Sequence, residues 1–141
     1  MPARHNIDDR VSLAIPEDWE VWEASDDVLF VAAAPDIGRD GYQPHFFVIR
    51  EVAENESSKN AMIGNVIYLQ NHQEGYVEQG PIQQFEVDGR KMAGVAYDAP
   101  ADDWVFRNQQ YFLVADGWEY LITCKMLPEQ VRDGQTNLTG S

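Results

Sequence analysis

The chain has 141 residues, 44% of them apolar, with four Trp, six Tyr and six Phe, enough for one domain that buries its own core without disulfides or a structural metal. Its 24 Asp+Glu against 10 Lys+Arg give a formal net charge of −14. That charge repels phosphate backbones and anionic headgroups, so nucleic acid and membrane insertion are not expected, and a protein or peptide partner of basic or amphipathic character is favoured. The lone Cys124 excludes an internal disulfide.

Residues 1–9 read as an N-terminal arm, 10–127 as the domain and 128–141 as a loose polar tail. No stretch approaches the ~20 apolar residues of a membrane helix, and the arm lacks an apolar signal-peptide run. The expected location is the cytoplasm for a full-length chain, or the cell envelope if a signal or anchor has been removed. In the domain, residues 10–15 alternate Val11, Leu13 and Ile15 against Ser12 and Ala14, a half-buried strand closed by Pro16. Residues 19–25 and 28–33 read as a hairpin around Asp26-Asp27. A Gly/Pro/Asp-rich loop over 35–44 leads into a strand at 45–53 (HFFVIREVA), apolar enough at its centre to be covered on both faces.

One helix is predicted, over 57–74. Ser57 or Ser58 suits its N-cap, and Met62, Ile63, Val66, Ile67 and Leu69 form its apolar stripe. Gly75 suits a left-handed residue past its end. Gly64 costs the helix about 1 kcal/mol relative to Ala and suggests close approach to the sheet. Strands follow at 76–87, 91–97, 104–115 and 118–127. Asp88-Gly89 and Asp116-Gly117 are hairpin turn signals, and Pro100 with Asp102-Asp103 breaks the chain. On the last strand Trp118, Tyr120, Ile122, Cys124 and Met126 share one face, and Glu119, Leu121, Thr123, Lys125 and Leu127 the other. The fold class is α+β: an antiparallel sheet of six to eight strands with the helix packed on one face.

Little in the chain carries catalytic chemistry. His5, His45 and His72 lie in three separate elements without ligand spacing, and neither metal nor cofactor is expected. No phosphate-binding glycine motif or nucleophile elbow is present. Asp8-Asp9, Asp26-Asp27 and Asp102-Asp103 read as solvated turn residues, and Cys124 as a buried, inert thiol. Most aromatic residues serve the core. Tyr42 and Trp104, beside turn breakers at strand ends, are the ones placed to line a ligand or peptide groove, with His45 and Arg107 as further candidates.

Several local phrases resemble the Mog1/PsbP-like superfamily: Leu13-Ala14-Ile15-Pro16-Glu17-Asp18-Trp19 its opening, His45-Phe46-Phe47-Val48-Ile49-Arg50-Glu51 the strand before its helix, Val87-Asp88-Gly89-Arg90-Lys91-Met92-Ala93-Gly94 its middle hairpin. Arg107-Asn108-Gln109-Gln110-Tyr111 and Tyr120-Leu121-Ile122-Thr123-Cys124 resemble its last hairpin. By phrase the chain is most similar to bacterial LpqN/LpqT-type and DcrB-like proteins. The lipoprotein signal and lipidated Cys of the LpqN type are absent from the sequence, and 128–141 has no apolar stripe for the usual closing helix. The resemblance implies a non-enzymatic bacterial binding or accessory protein acting through a groove or sheet edge, where an exposed edge leaves room for a dimer. The alternatives are a chaperone or adaptor for a secreted effector and, third, a small hydrolase or isomerase with a spatial carboxylate site.

Overall fold

The computed structural model describes residues 2–8, 11–23, 25, 28–35, 42–54, 56–87, 89–101 and 103–128. Ten strands and one helix are described: β1 (Pro2–Asn6), β2 (Ser12–Pro16), β3 (Glu20–Trp22), β4 (Phe30–Ala33), β5 (His45–Val52), α1 (Ser58–His72), β6 (Val77–Glu78), β7 (Gln83–Val87), β8 (Arg90–Ala101), β9 (Trp104–Ala115) and β10 (Trp118–Met126). Eight strands form one antiparallel sheet in the order β3-β4-β5-β10-β9-β8-β6, with β7 also on β8, while β1 and β2 make a separate hairpin. The molecule is α+β, with the helix on one face of the sheet and the small hairpin on the other.

Two apolar layers hold these parts together. On one face Ile7, Val11, Leu13 and Ile15, in and beside the β1–β2 hairpin, meet Phe46, Val48, Leu113, Tyr120, Ile122, Cys124 and Met126. On the other, Ala61, Met62 and Val66 of α1 meet Ala93, Val95 and Phe112, and Leu69 meets Tyr97 and Ala99. A polar clamp supplements the first layer. Asp8 accepts from the buried Tyr120 hydroxyl at 2.6 Å and from Arg50 at 3.0 Å through Oδ2, and from the Val11 backbone N–H at 2.9 Å through Oδ1. Arg50 in turn lies 4.2 Å above the Trp118 ring. Burial, and the bond to Asp8, raise the Tyr120 pKa.

Local chemistry fixes the element ends. Ser57 caps α1 by accepting from Asn60 N–H at 3.1 Å. The buried Ser58 hydroxyl donates to the Lys91 carbonyl at 2.8 Å and accepts from Val114 N–H at 3.0 Å, pinning the first turn onto β8 and β9. Asp116 and Gly117 take φ of 53° and 83°, the left-handed pair a two-residue turn needs, and join β9 to β10. Val87 pairs with Arg90 across Gly89; Asp88, Asp26-Asp27 and most of the 35–44 loop lie outside the described residues, as do 129–141.

Four local readings change. Ile63 and Ile67 are 37% and 52% exposed, so the buried stripe of α1 is Ala61, Met62, Val66 and Leu69. Gly64 is not a close approach, since an added Cβ would meet nothing within 4 Å. The expected strand 76–87 is two strands, interrupted at Gly80 (φ 116°) and Pro81. Pro100 does not end its strand: it pairs with Val105 inside β8. No partner strand is described on the other side of β8 there, because β6 reaches only Tyr97 and Asp98, so its missing N–H leaves no ladder bond unmade. No described helix is long and apolar enough to cross a membrane.

Candidate functional site

The helix covers only part of its face of the sheet. It packs on β8 and β9, and the neighbouring strands β10, β5, β4 and β3 continue beyond it. On β5 the burial alternates accordingly: Phe46 and Val48, toward the hairpin, are fully buried, whereas His45, Phe47 and Ile49, toward the helix side, are partly exposed. The expectation that this strand is covered on both faces therefore holds for one face only.

Register shows what this open face carries. From β10 to β5 the facing pairs are Glu119↔Glu51, Leu121↔Ile49, Thr123↔Phe47 and Lys125↔His45. Val31 of β4 continues the Phe47 row, and Trp22 of β3, 39% exposed, stands opposite Val31. One wall is the flank of α1 that faces β10. That flank is identified by Asn65, which donates to Gln110 Oε1 at 2.7 Å, while Gln110 lies 3.4 Å from the Thr123 hydroxyl on β10. Tyr68 and His72, three and seven residues further on, fall on the same flank and stack on each other at 4.3 Å. Together these surfaces make a shallow apolar trough.

Three of the four residues singled out from the sequence gather at one end of it. The Tyr42 ring lies 4.7 Å from Phe106, 6.0 Å from His45 and 6.3 Å from Trp104. Its hydroxyl is 3.3 Å from His45 Nδ1. Trp22 and Phe47 stack on His45 at 6.2 and 6.4 Å. Arg107 is not with them. Trp104 and Phe106 share the helix-side face, and strand alternation sends Arg107 to the other, where Asp98 takes two of its N–H donors, one of them at 3.2 Å.

Sequence reasoning missed Lys125, whose ammonium lies 4.9 Å over the Phe106 ring. The signal was present: Lys125 shares a strand face with Leu121 and Thr123, opposite Phe47 and Ile49. The electrostatics at this end follow from burial. Desolvation lowers the His45 pKa, the Gln43 carbonyl opposes that, and the Lys125 charge adds to it. Burial pushes the Tyr42 hydroxyl up to about 12. Both groups are neutral near pH 7, which leaves Lys125 as the cation here. Cys124 stands on the opposite face with 1% exposure, its thiol pushed up to about 12 by burial, which makes it a poor nucleophile. Among the described residues no three His, Cys, Asp or Glu side chains are grouped to hold a metal ion.

No protein-family model and no curated protein matches the chain. Solved structures do. LpqN of Mycobacterium tuberculosis superposes with a TM-score of 0.71 at 11% identity, over 99% of this chain and 80% of LpqN. PA94 of Pseudomonas aeruginosa, a protein of unknown function, gives 0.66 at 11% identity, over 95% and 88%. The cyanobacterial PsbP (CyanoP) of Synechocystis sp. PCC 6803 gives 0.55 at 14% identity, over 88% and 78%. The fold is Mog1/PsbP-like. At these identities the likeness is one of fold, and the Mog1/PsbP-like sheet is what sets the open strands beside the helix. None of the three neighbours is described as an enzyme.

Proposed function

We propose that the chain is a non-enzymatic bacterial binding or accessory protein whose recognition surface is the trough beside α1, and that its partner is an amphipathic segment of another protein. The observation that carries this is the set of apolar side chains on a sheet face the helix leaves open: Trp22, Val31, Phe47 and Ile49. Trp22 is exposed and the others keep part of their apolar surface uncovered, which offers burial to a partner. The fold likeness to LpqN, a protein involved in cell envelope biogenesis, supports an accessory role at the envelope. The test is co-purification from cells at native expression with three versions of the chain. Wild type and Val105→Arg should retain a common partner; Val105 is exposed and its strand position faces away from the trough. Ile49→Arg should lose it. Equal recovery by all three versions, or no partner with any, overturns the proposal.

A further inference from the structure

At the aromatic end of the trough stands a cation without an anion. Lys125 is half-buried, flanked across the sheet by His45 on β5 and Asn108 on β9, and its ammonium lies 4.9 Å over the Phe106 ring. Among the described residues no carboxylate, carbonyl or hydroxyl stands within hydrogen-bond or ion-pair distance of it, although the chain has more than twice as many acids as bases. The half-buried Arg50 and Arg107, by contrast, each hold an aspartate, Asp8 and Asp98. An ammonium in a ring-lined, partly desolvated place has given up hydration that an incoming carboxylate would replace, at a lower effective dielectric than open water.

The rings around Lys125 stop the trough at this end. Tyr42 lies 6.0 Å from His45 on β5 and 4.7 Å from Phe106 on β9. Those strands are separated by β10, so the Tyr42 ring crosses the end of β10 where Lys125 stands, and Trp104 backs it at 6.3 Å. Beside it Trp22, His45 and Phe47 form a stacked row, with interplanar angles of 23° and 28°. The apolar surface continues only away from Tyr42, over Phe47, Ile49 and Val31. Resting on the reading of this face as a binding surface, we infer that the partner segment enters with its C-terminus, that Lys125 receives the terminal carboxylate, and that the last side chain, apolar or aromatic, covers Phe47 and the neighbouring Val31. A chain terminus fits both features of the place: it brings the anion, and it has no backbone to carry past the ring wall. An acidic side chain within a segment brings the same anion but obliges the backbone to turn away at Tyr42.

The experiment uses three N-acetylated hexapeptides: Ser-Leu-Ser-Leu-Ser-Phe with a free C-terminal carboxylate, the same peptide amidated, and the amidated peptide with Glu in place of its last Ser. Binding is measured by calorimetry and by amide chemical-shift mapping on wild type, Lys125→Met and Lys125→Glu. Wild type should bind the free acid about tenfold more tightly than either amide, the scale of one charge-assisted contact in a partly shielded place, with shifts at Phe47, Lys125 and the Trp22 indole. Lys125→Met should bring the free acid level with its amide, and Lys125→Glu should place it below. The wild-type preference should shrink as salt rises. Equal binding of free acid and amide by wild type, with shifts still at Phe47, overturns the carboxylate seat and leaves the binding surface standing. A Glu-bearing amide that binds as tightly as the free acid overturns the assignment to a chain terminus. Absence of binding and of shifts for all three overturns both the seat and the surface. The wild-type measurements decide the matter even where a variant folds poorly.

Discussion

An added Cβ at Gly64 would meet nothing within 4 Å, whereas at Gly94 it would lie 2.9 Å from Tyr111 Cδ1 and 3.3 Å from Phe85 Cε1. The first position is an exposed helix interior and carries only the entropic cost of glycine. Gly64→Ala should therefore raise stability by about 0.5–1 kcal/mol. Gly94→Ala should lower it by roughly 1–3 kcal/mol, because two aromatic rings packed on the hairpin-side core must shift. Urea denaturation of the two variants against wild type checks both signs. Cys124 supplies a pH prediction. Its folded pKa is raised to about 12 from 9.0, and that of Tyr111 to about 12 from 10.0, both chiefly by burial. Groups raised in this way contribute stability that is fully present below the unfolded pKa and is lost as pH rises toward the folded one. Stability should hold at neutral pH and fall progressively above about pH 9, and Cys124→Ala, measured against its own neutral-pH value, should show a shallower fall. In native protein the thiol should react with an alkylating reagent only as fast as the chain opens; labelling at the rate of an unfolded control would contradict its burial.

Elements with one dominant local signal were readable in the sequence. Asp116-Gly117 placed the β9–β10 turn, and Ser57 with the apolar spacing placed α1 to within two residues at its C-terminal end. Arg107 could have been separated from Trp104 by counting, since positions three apart on a strand face opposite ways. β1 was not readable. Pro2-Ala3-Arg4-His5-Asn6 has no alternating apolar pattern, and the arm is held through its register with β2, through Ile7, and through the bonds of Asp8 to Arg50 and Tyr120, more than forty positions away. Nor could the pattern show that Phe47 and Ile49 lie beyond the edge of the helix, because a strand buried on both faces and one serving a binding face look alike until α1 is placed. The arm's dependence on Asp8 is testable. Asp8→Ala removes the acceptor shared by Tyr120 and Arg50 and should cost about 2–4 kcal/mol. Tyr120→Phe removes one donor only and should cost about 1 kcal/mol. Hydrogen exchange should show the loss concentrated in β1 and β2; an Asp8→Ala variant as stable as wild type would mean that the apolar contacts of Ile7, Val11, Leu13 and Ile15 suffice to dock the hairpin.

At the scale of the whole molecule the two faces of the sheet are treated differently: the hairpin closes one against a continuous core, and the helix closes β8, β9 and Leu121 of β10 on the other. The charge is distributed to match. The ion pairs Arg50–Asp8 and Arg107–Asp98 are both largely shielded from solvent and lie off the trough, while most of the other described carboxylates are exposed on the surface. Salt acts on these two populations unequally. The Debye length shortens from roughly 20 Å at 20 mM to about 5–6 Å at 300 mM, which removes repulsion among exposed carboxylates and leaves the partly buried pairs largely intact. Raising sodium chloride from 20 to 300 mM at pH 7 should therefore raise the Tm by several degrees, with the sharper part of the rise below about 100 mM. Lys125→Met, which deletes one of the few positive charges, should have a lower Tm than wild type at 20 mM, and the difference should narrow at 300 mM. A Tm that falls with added salt would mean that attractive pairs outweigh self-repulsion in this fold.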